Sequence, residues 1–210
     1  MTEKSRLRIE AEEIIEDLDI MGLLNAYGYA RIVGSVALDL IVKRDIDIHA
    51  LVLLRDTMDM AQHLMAVLLK AEGVDEVSVK DYRERASLKV GIEEYQGESG
   101  PWSIDIWLTT DVSTTGFAMI DELEKSLDEE MREVILNIKR HYHIRDLLQD
   151  GLSSLIYRAV TEGGVQNANE FEQWLARTQL RRQDRESILS SLTQRPKKPP
   201  KDTKETRLSP

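Results

Sequence analysis

The chain has 210 residues, of which 41% are hydrophobic, enough for one generous domain or for a domain with a helical appendage. Its formal net charge of −10 makes long nucleic acid an unexpected partner, because binding to a phosphate backbone needs a basic surface. Cysteine is absent, and neither an apolar run of about 18 residues nor an apolar leader is seen, so we expect a cytoplasmic protein without disulfides, thiol chemistry or membrane contact.

Apolar periodicity predicts an α+β first half. We expect a helix over much of residues 4–26, a strand at 30–33, one or two helical turns at 36–42, a strand at 45–54, a helix at 56–71 capped by Asp56 or Thr57, and strands at 74–80, 86–95 and 102–109, the last two joined by a hairpin. The strand at 45–54 begins with alternation and then becomes continuously apolar, which is typical of a strand buried on both faces.

The second half is predicted to be helical. From Asp121 onward apolar residues recur at spacings of three and four through Ile138, and further helices are expected at 147–160 and 169–192. The remaining residues are rich in proline and charge, a composition typical of disorder. The predicted domains are an α+β domain at 1–119, a helical bundle at 120–192 and a disordered tail at 193–210.

Two aspartates, Asp45 and Asp47, open the apolar strand at 45–54. Side chains two apart in a strand share a face, so these acids point together and away from Ile46 and Ile48. The later stretch SIDIW repeats this pattern around Asp105. If the two strands are neighbours, three carboxylates converge, and a divalent cation would offset their repulsion. Carboxylate oxygens suit Mg²⁺, although an isolated D-x-D pair more often lies on a solvated strand face.

The pair Gly34–Ser35 lies between the first short strand and the following helical turn. Backbone N–H groups at such a point are free to bind an anion, and a glycine lets a phosphate approach the backbone closely. A Gly-Ser pair alone most often marks only a turn. The prediction of a phosphate site therefore depends on its combination with the acidic strand that follows.

This combination, read in VGSVALDLIVKRDIDIHALV and SIDIW, resembles the nucleotidyltransferase superfamily that includes DNA polymerase beta and the antibiotic nucleotidyltransferases. The resemblance implies a mixed β-sheet in the first domain. It implies that Asp45 and Asp47 hold the metal ions that bind a triphosphate, and that Asp105 completes the metal site and activates the attacking hydroxyl. It also implies that Gly34 and Ser35 contact the phosphates.

The resemblance extends over about residues 28–110. Lys43 and Arg44, just before the first acid, are expected to neutralise phosphate charge, or else to form a solvated turn. Two positions depart from the family pattern. Asp39 stands where many members have a second glycine, and Arg44 stands where a serine or threonine is usual.

The reaction that the resemblance implies is transfer of a nucleoside monophosphate from an NTP, with ATP expected, to a hydroxyl of a small-molecule acceptor, assisted by two Mg²⁺ ions. The acidic charge balance favours a cationic acceptor. Three alternatives stay open: a catalytically inactive nucleotide-binding relative, a toxin–antitoxin-type interaction module of the same fold, and an unrelated α+β binding protein. The sequence is also compatible with a homodimer.

Two further residues share faces with the acids. His49 lies two residues after Asp47, on the same face of the strand, and we expect it to be a hydrogen-bonded wall residue. Trp107 shares the face of Asp105 and is expected either to pack or to stack on a base. Tyr157, in the helical half, is predicted to belong to a core.

Overall fold

The computed structural model describes residues 4–53, 57–82, 84, 86–149 and 151–178. The strands in these ranges are β1 (Gly28–Val33), β2 (Asp45–Val52), β3 (Val77–Tyr82), β4 (Ser87–Gly97) and β5 (Gly100–Thr109). The helices are α1 (Arg6–Asp17), α2 (Ile20–Asn25), α3 (Gly34–Leu38), α4 (Thr57–Leu68), α5 (Phe117–Ser126), α6 (Glu129–His143), α7 (Leu152–Thr161) and α8 (168–178). Within these ranges no helix is both long and apolar enough to span a bilayer.

The strands form one mixed sheet in the order β1-β2-β5-β4-β3. The central pair, β2 and β5, is parallel, and the other neighbouring pairs are antiparallel. This arrangement confirms the predicted α+β class with a mixed sheet and helices after it. A parallel pair needs a long crossover, and here the crossover contains α4 and the β3-β4 pair.

The burial of β2 alternates along its whole length. Ile46, Ile48 and Ala50 are fully buried, whereas Asp45 and Asp47 are half-buried. The prediction of a strand buried on both faces is therefore wrong. One face of β2 packs into the core and the other borders a cavity, which leaves room for polar side chains on that face.

The predicted helix over residues 4–26 is two helices. Ser5 caps α1, because its Oγ accepts a hydrogen bond from the Arg8 backbone N–H at 3.2 Å. The chain then turns at Asp19, whose φ of +46° lies in the left-handed region that aspartate tolerates better than most residues. This turn lets Ile20 and Leu24 of α2 reach the core with 0% exposure.

Asp39, one of the two departures from the pattern of the superfamily that the sequence resembles, ends α3 with a φ of +54°. The backbone thus keeps the left-handed conformation for which a glycine would be suited. The carboxylate of Asp39 accepts hydrogen bonds from the backbone N–H of Ser5, at 3.0 Å, and from the Ser5 hydroxyl. This side chain therefore ties the end of α3 to the start of α1.

The helical half differs from the prediction in its boundaries. The helical signals predicted from Asp121 onward fall on two helices, α5 and α6, and Asp128 caps α6 by accepting a hydrogen bond from the Met131 N–H at 2.8 Å. The helix α7 begins at Leu152 rather than at 147. The proposed Asp56 cap, the end of the helix predicted at 169–192 and the tail at 193–210 lie outside the described residues.

Two apolar cores position the site. The first lies between the sheet and the helices α1, α2 and α4. The second joins α5, α6 and α7 to Val33, Leu38 and Leu40, which flank or belong to α3. Because the second core includes Val33 and Leu38, on either side of Gly34–Ser35, it holds the helical half beside this pair. Truncating a buried leucine of this core to alanine typically costs about 2–5 kcal/mol, so the attachment is firm.

Candidate active site

The three predicted acids lie on one face of the central strand pair. Asp47 and Asp105 are direct partners in the register of β2 and β5, and Asp45 is the partner of Ser103 one pleat away. Residues paired in register across a sheet have their side chains on the same face. All three carboxylates line one cavity of about 430 Å³.

Asp47 has an unusual proton affinity. Burial, followed by the negative charges of Asp45 and Asp105, raises its pKa to about 7, while Lys89 and Lys43 oppose the rise. Burial also raises the pKa of Asp105, against the effect of the Lys89 charge. Ionised carboxylates are therefore costly in this site, and a divalent cation among them would remove that cost.

Two lysines and a hydroxyl group contact the outer carboxylates. Lys89 Nζ lies 2.5 Å from Asp105 Oδ2, and Lys43 Nζ lies 3.5 Å from Asp45 Oδ2. The Ser103 hydroxyl donates a hydrogen bond of 2.6 Å to Asp45 Oδ1. Burial lowers the pKa of Lys89, but the hydrogen bond and charge of Asp105 outweigh this and raise it overall.

Because of these contacts, the outer carboxylates are not free to bind a metal ion without first leaving their protein partners. Across the described part of the chain, no three His, Cys, Asp or Glu side chains are arranged as a finished set of metal ligands. Both oxygens of Asp45 and one oxygen of Asp105 already contact protein donors. A metal ion would have to draw them from these partners.

Gly34 and Ser35 begin α3 directly beside Asp47. Gly34 has a φ of +64°, and a Cβ at this position would lie 2.8 Å from Asp47 Oδ2. A side chain here would therefore be strained by the backbone conformation and would also collide with the carboxylate. Ser35 lines the same cavity as the acids. The structure thus places the Gly-Ser pair and the acids in contact around one space.

The helical half contributes a cation and a hydroxyl to this cavity. Lys139 of α6 is only 2% exposed, and its Nζ donates hydrogen bonds to the Leu40 carbonyl at 2.5 Å and to the Tyr157 hydroxyl at 3.2 Å. Burial lowers the pKa of Lys139 to about 8, opposed by the charges of Asp47 and Asp45. A buried ammonium thus faces the carboxylates from the other wall.

Lys43 lines the cavity, whereas Arg44 does not. Its Nε donates a hydrogen bond of 2.9 Å to Ser99 Oγ, in the turn between β4 and β5. The guanidinium lies against Gly100, where a Cβ would meet the Arg44 Cζ at 3.4 Å. The residue that replaces the usual serine or threonine is thus directed to the hairpin.

The aromatic and histidine side chains next to the acids have different environments. His49 Nδ1 accepts a hydrogen bond of 3.0 Å from the Gly116 N–H, and burial lowers the pKa of His49 to about 4. His49 is thus a neutral wall residue. Trp107 lines the cavity, with its ring 5.1 Å from that of Tyr82 and 5.7 Å from Lys89 Nζ. These rings form an aromatic wall beside Asp105.

Sequence reasoning missed Lys89 and Lys139 as site residues. A lysine inside the apolar run SLKVGI was the available signal for Lys89. For Lys139 the signal was its place four residues after Ile135, on the apolar side of α6. A lysine on an apolar stripe is costly unless it finds a polar partner, and it therefore points to a special environment.

The fold is similar to that of solved poly(U) polymerases and of an RNA terminal U-transferase, in agreement with the fold that the motifs predicted. No protein-family model and no curated protein sequence matches this chain. The similarity is found among solved structures, at sequence identities that show the fold alone.

Three of these structures illustrate the similarity. The Cid1 poly(U) polymerase bound to MgATP has a TM-score of 0.53 and 16% identity, over 70% of this chain and 46% of that one. A cytoplasmic RNA terminal U-transferase has a TM-score of 0.52 and 18% identity, over 75% and 48%. Another Cid1 poly(U) polymerase structure has a TM-score of 0.53 and 17% identity, over 75% and 49%. This chain thus spans about half the length of each.

Proposed function

We propose that the protein is a Mg²⁺-dependent nucleotidyltransferase that transfers a nucleoside monophosphate from an NTP, preferably ATP, to a hydroxyl of a small acceptor and releases pyrophosphate. The observation that carries this proposal is the in-register pair of Asp47 and Asp105 next to Gly34–Ser35, all in one cavity. The solved structures of similar fold include one that holds MgATP and one that holds MgGTP.

Asp45, Asp47 and Asp105 are the residues that would hold Mg²⁺, and we propose two ions. The donor set fits, because these are hard carboxylate oxygens and because burial, together with the charges of Asp45 and Asp105, raises the pKa of Asp47, a cost that a bound cation would offset. Bound Mg²⁺ would neutralise the phosphates and stabilise the attacking and leaving oxygens. Burial has already removed much of the solvent from Asp47, so the charge of the carboxylate acts strongly on a bound cation.

The cations and donors around the acids suit a triphosphate. Ser35 would donate a hydrogen bond to a phosphate oxygen, and Gly34 would leave the backbone N–H groups accessible. The half-exposed Lys43 is placed to neutralise phosphate charge from the solvent side, and Lys139 from the helical wall. Positioning by these groups would supply most of the remaining rate.

Asp105 is the candidate proton acceptor for the attacking hydroxyl. It lies at the aromatic wall, where an acceptor could pack on Trp107. Burial raises the pKa of Asp105, which makes its carboxylate a better base than an exposed aspartate. The role requires that the carboxylate is released by Lys89, which now holds Oδ2.

A small, cationic acceptor is the substrate class that the charge balance supports. The net charge of −10 attracts cations and repels a long phosphate backbone. The similar structures are those of poly(U) polymerases and an RNA terminal U-transferase, so a short RNA is the necessary comparison in any acceptor screen. Transfer to RNA in preference to small molecules would replace this part of the proposal.

One observation favours a second candidate, a nucleotide-binding relative without transferase activity. The ion pair between Lys89 and Asp105 occupies the carboxylate that the reaction needs as a base. If this pair never opens, the protein can bind nucleotide at Asp45 and Asp47 and act only through its interactions with a partner, as in a toxin–antitoxin-type module.

Titration calorimetry with Mg²⁺ and a non-hydrolysable ATP analogue tests the shared part of both candidates. We expect Mg²⁺-dependent binding that is lost in the Asp45→Asn, Asp47→Asn double variant, and equal binding by both proteins would refute the site. Pyrophosphate release with ATP and a panel of cationic hydroxyl compounds and RNA oligonucleotides then separates the candidates. Release with an acceptor supports the transferase, and binding without release supports the inactive relative.

A further inference from the structure

Lys89 and Asp105 form a close ion pair on adjacent strands at the edge of the cavity. The two charged atoms are 2.5 Å apart, and their side chains are only 14% and 19% exposed. By contrast, the pair of Lys43 and Asp45 is separated by 3.5 Å, and Lys43 is 48% exposed. The Lys89 contact is therefore the stronger of the two, because solvent screens it less.

The backbone opposite Asp105 makes this contact possible. The cross-strand partner of Asp105 on β4 is Gly91, while Lys89 is the partner of Trp107. A Cβ on Gly91 would lie 3.6 Å from Asp105 Oδ1 and 3.7 Å from Lys89 Cε. The side chain of Lys89 thus passes over Gly91, close to where a side chain at position 91 would lie. It reaches diagonally across the strand pair to Asp105.

We propose that the Lys89 ammonium competes with a divalent cation for Asp105. The inference rests on the proposed function, in which Asp105 completes a two-ion site. The first ion would bind through Asp45 and Asp47, and the second would bind only by displacing Lys89 from Asp105. Lys89 is then a positioning residue that controls when the third carboxylate becomes available to metal and acceptor.

Mn²⁺ titrations followed by calorimetry and electron paramagnetic resonance test this competition without any turnover. The wild type should bind one Mn²⁺ tightly and a second weakly. In Lys89→Met the second ion should bind at least about tenfold more tightly, within the range common for coupled sites. Lys89→Arg retains the charge, and its second site should stay weak. Lys43→Met removes one positive charge from the same cavity and is the matched control.

A double variant assigns the gain to Asp105. Lys89→Met combined with Asp105→Asn should lose the tighter second site and bind one ion. The Lys89→Met protein should also melt at a lower temperature than wild type without metal, because a half-buried carboxylate has lost its partner, and Mn²⁺ should restore more of its melting temperature than it adds to wild type. If Lys89→Met folds poorly, Lys89→Gln, which removes the charge but keeps a polar side chain, replaces it in the same titrations and should show the same gain.

The results separate this inference from the proposed function. An unchanged second-ion affinity in Lys89→Met, or an equal gain in Lys43→Met, would overturn the competition even if the wild type releases pyrophosphate. Conversely, the expected Mn²⁺ results in a protein that transfers no nucleotide would leave the competition standing and refute the transferase.

Discussion

Replacing Asp47 with asparagine should stabilise the metal-free protein at neutral and alkaline pH. The substitution retains the shape of the side chain and removes a charge that burial and two neighbouring carboxylates make unfavourable. The same substitution should abolish stabilisation by Mg²⁺, because it removes a carboxylate from the proposed metal site. The two effects have opposite signs, which separates a site built for a cation from a merely structural aspartate.

The size of the expected gain in stability follows from the pKa of Asp47. A rise from an ordinary value of about 3.9 to about 7 corresponds to about 4 kcal/mol of destabilisation for the fully ionised form, as an upper limit. Relaxation and water penetration reduce this cost, so we expect a gain of about 1–4 kcal/mol in the unfolding free energy of Asp47→Asn at pH 8. The folded protein binds this proton more tightly than the unfolded chain. The contribution of protonated Asp47 is therefore fully present below about pH 4 and lost as the pH rises through about 7.

Denaturant unfolding from pH 5 to pH 8, without metal, measures this contribution as the difference between wild type and Asp47→Asn. The two proteins must be compared because His49 changes the stability of both with pH, in the direction opposite to Asp47. Its pKa is lowered to about 4, so neutral His49 contributes stability that grows as the pH rises from about 4 to about 6.5 in both proteins. A variant that is less stable than wild type at pH 8, or a difference independent of pH, would show that the charge of Asp47 is not unfavourable and would identify Asp47 as a structural hydrogen-bond acceptor.

Three further substitutions test the surroundings of the acids. Ser35→Ala should stay folded and bind Mg²⁺–ATP at least about tenfold more weakly by calorimetry, since a hydrogen bond to a charged group is worth about 1.5–3 kcal/mol; unchanged affinity would make Ser35 an ordinary cap. Gly34→Ala should lower both the melting temperature and the nucleotide affinity, because its Cβ would lie 2.8 Å from Asp47 Oδ2; a loss of stability alone would mean that Gly34 only forms a turn. Asp39→Ala should lower the unfolding free energy by about 2 kcal/mol, through lost hydrogen bonds to Ser5 and left-handed strain. Denaturant titration checks this, with Asp39→Asn as the control that should lose less, and equal losses would contradict it.

The acidic site could be predicted from the sequence because its pattern is local. The alternation of acids and isoleucines in DIDIH and SIDIW decides which side chains share a face, and this requires no knowledge of the partner strand. The pairing itself needed the family resemblance, since β2 and β5 are separated by a long crossover and only their register brings Asp47 to Asp105.

Lys89 could not be assigned in this way. Its contact with Asp105 depends on the register of β4 against β5 and on the glycine opposite Asp105, and both are properties of the pairing and not of either strand alone. Lys139 is a similar case, because its partners, the Leu40 carbonyl and Tyr157, come from distant parts of the chain. Local patterns therefore identified the acids, whereas tertiary packing determined the cations around them.

The break between α1 and α2 shows a different limit of sequence reasoning. Apolar spacing continues through residues 4–26, and nothing in it marks Asp19 as a turn. The left-handed φ of Asp19 is stabilised by the packing of Ile20 and Leu24 behind it. Because the chain turns at this one residue, the apolar spacing before and after Asp19 is still that of a helix.

A crystal structure of the protein with Mn²⁺ and a non-hydrolysable ATP analogue would show whether the two aspartates of β2 hold a metal. We expect an anomalous peak in contact with Asp45 and Asp47, with the triphosphate against Gly34–Ser35 and bridging to the metal. A nucleotide bound elsewhere, or a triphosphate at this site without metal at the two aspartates, would contradict it.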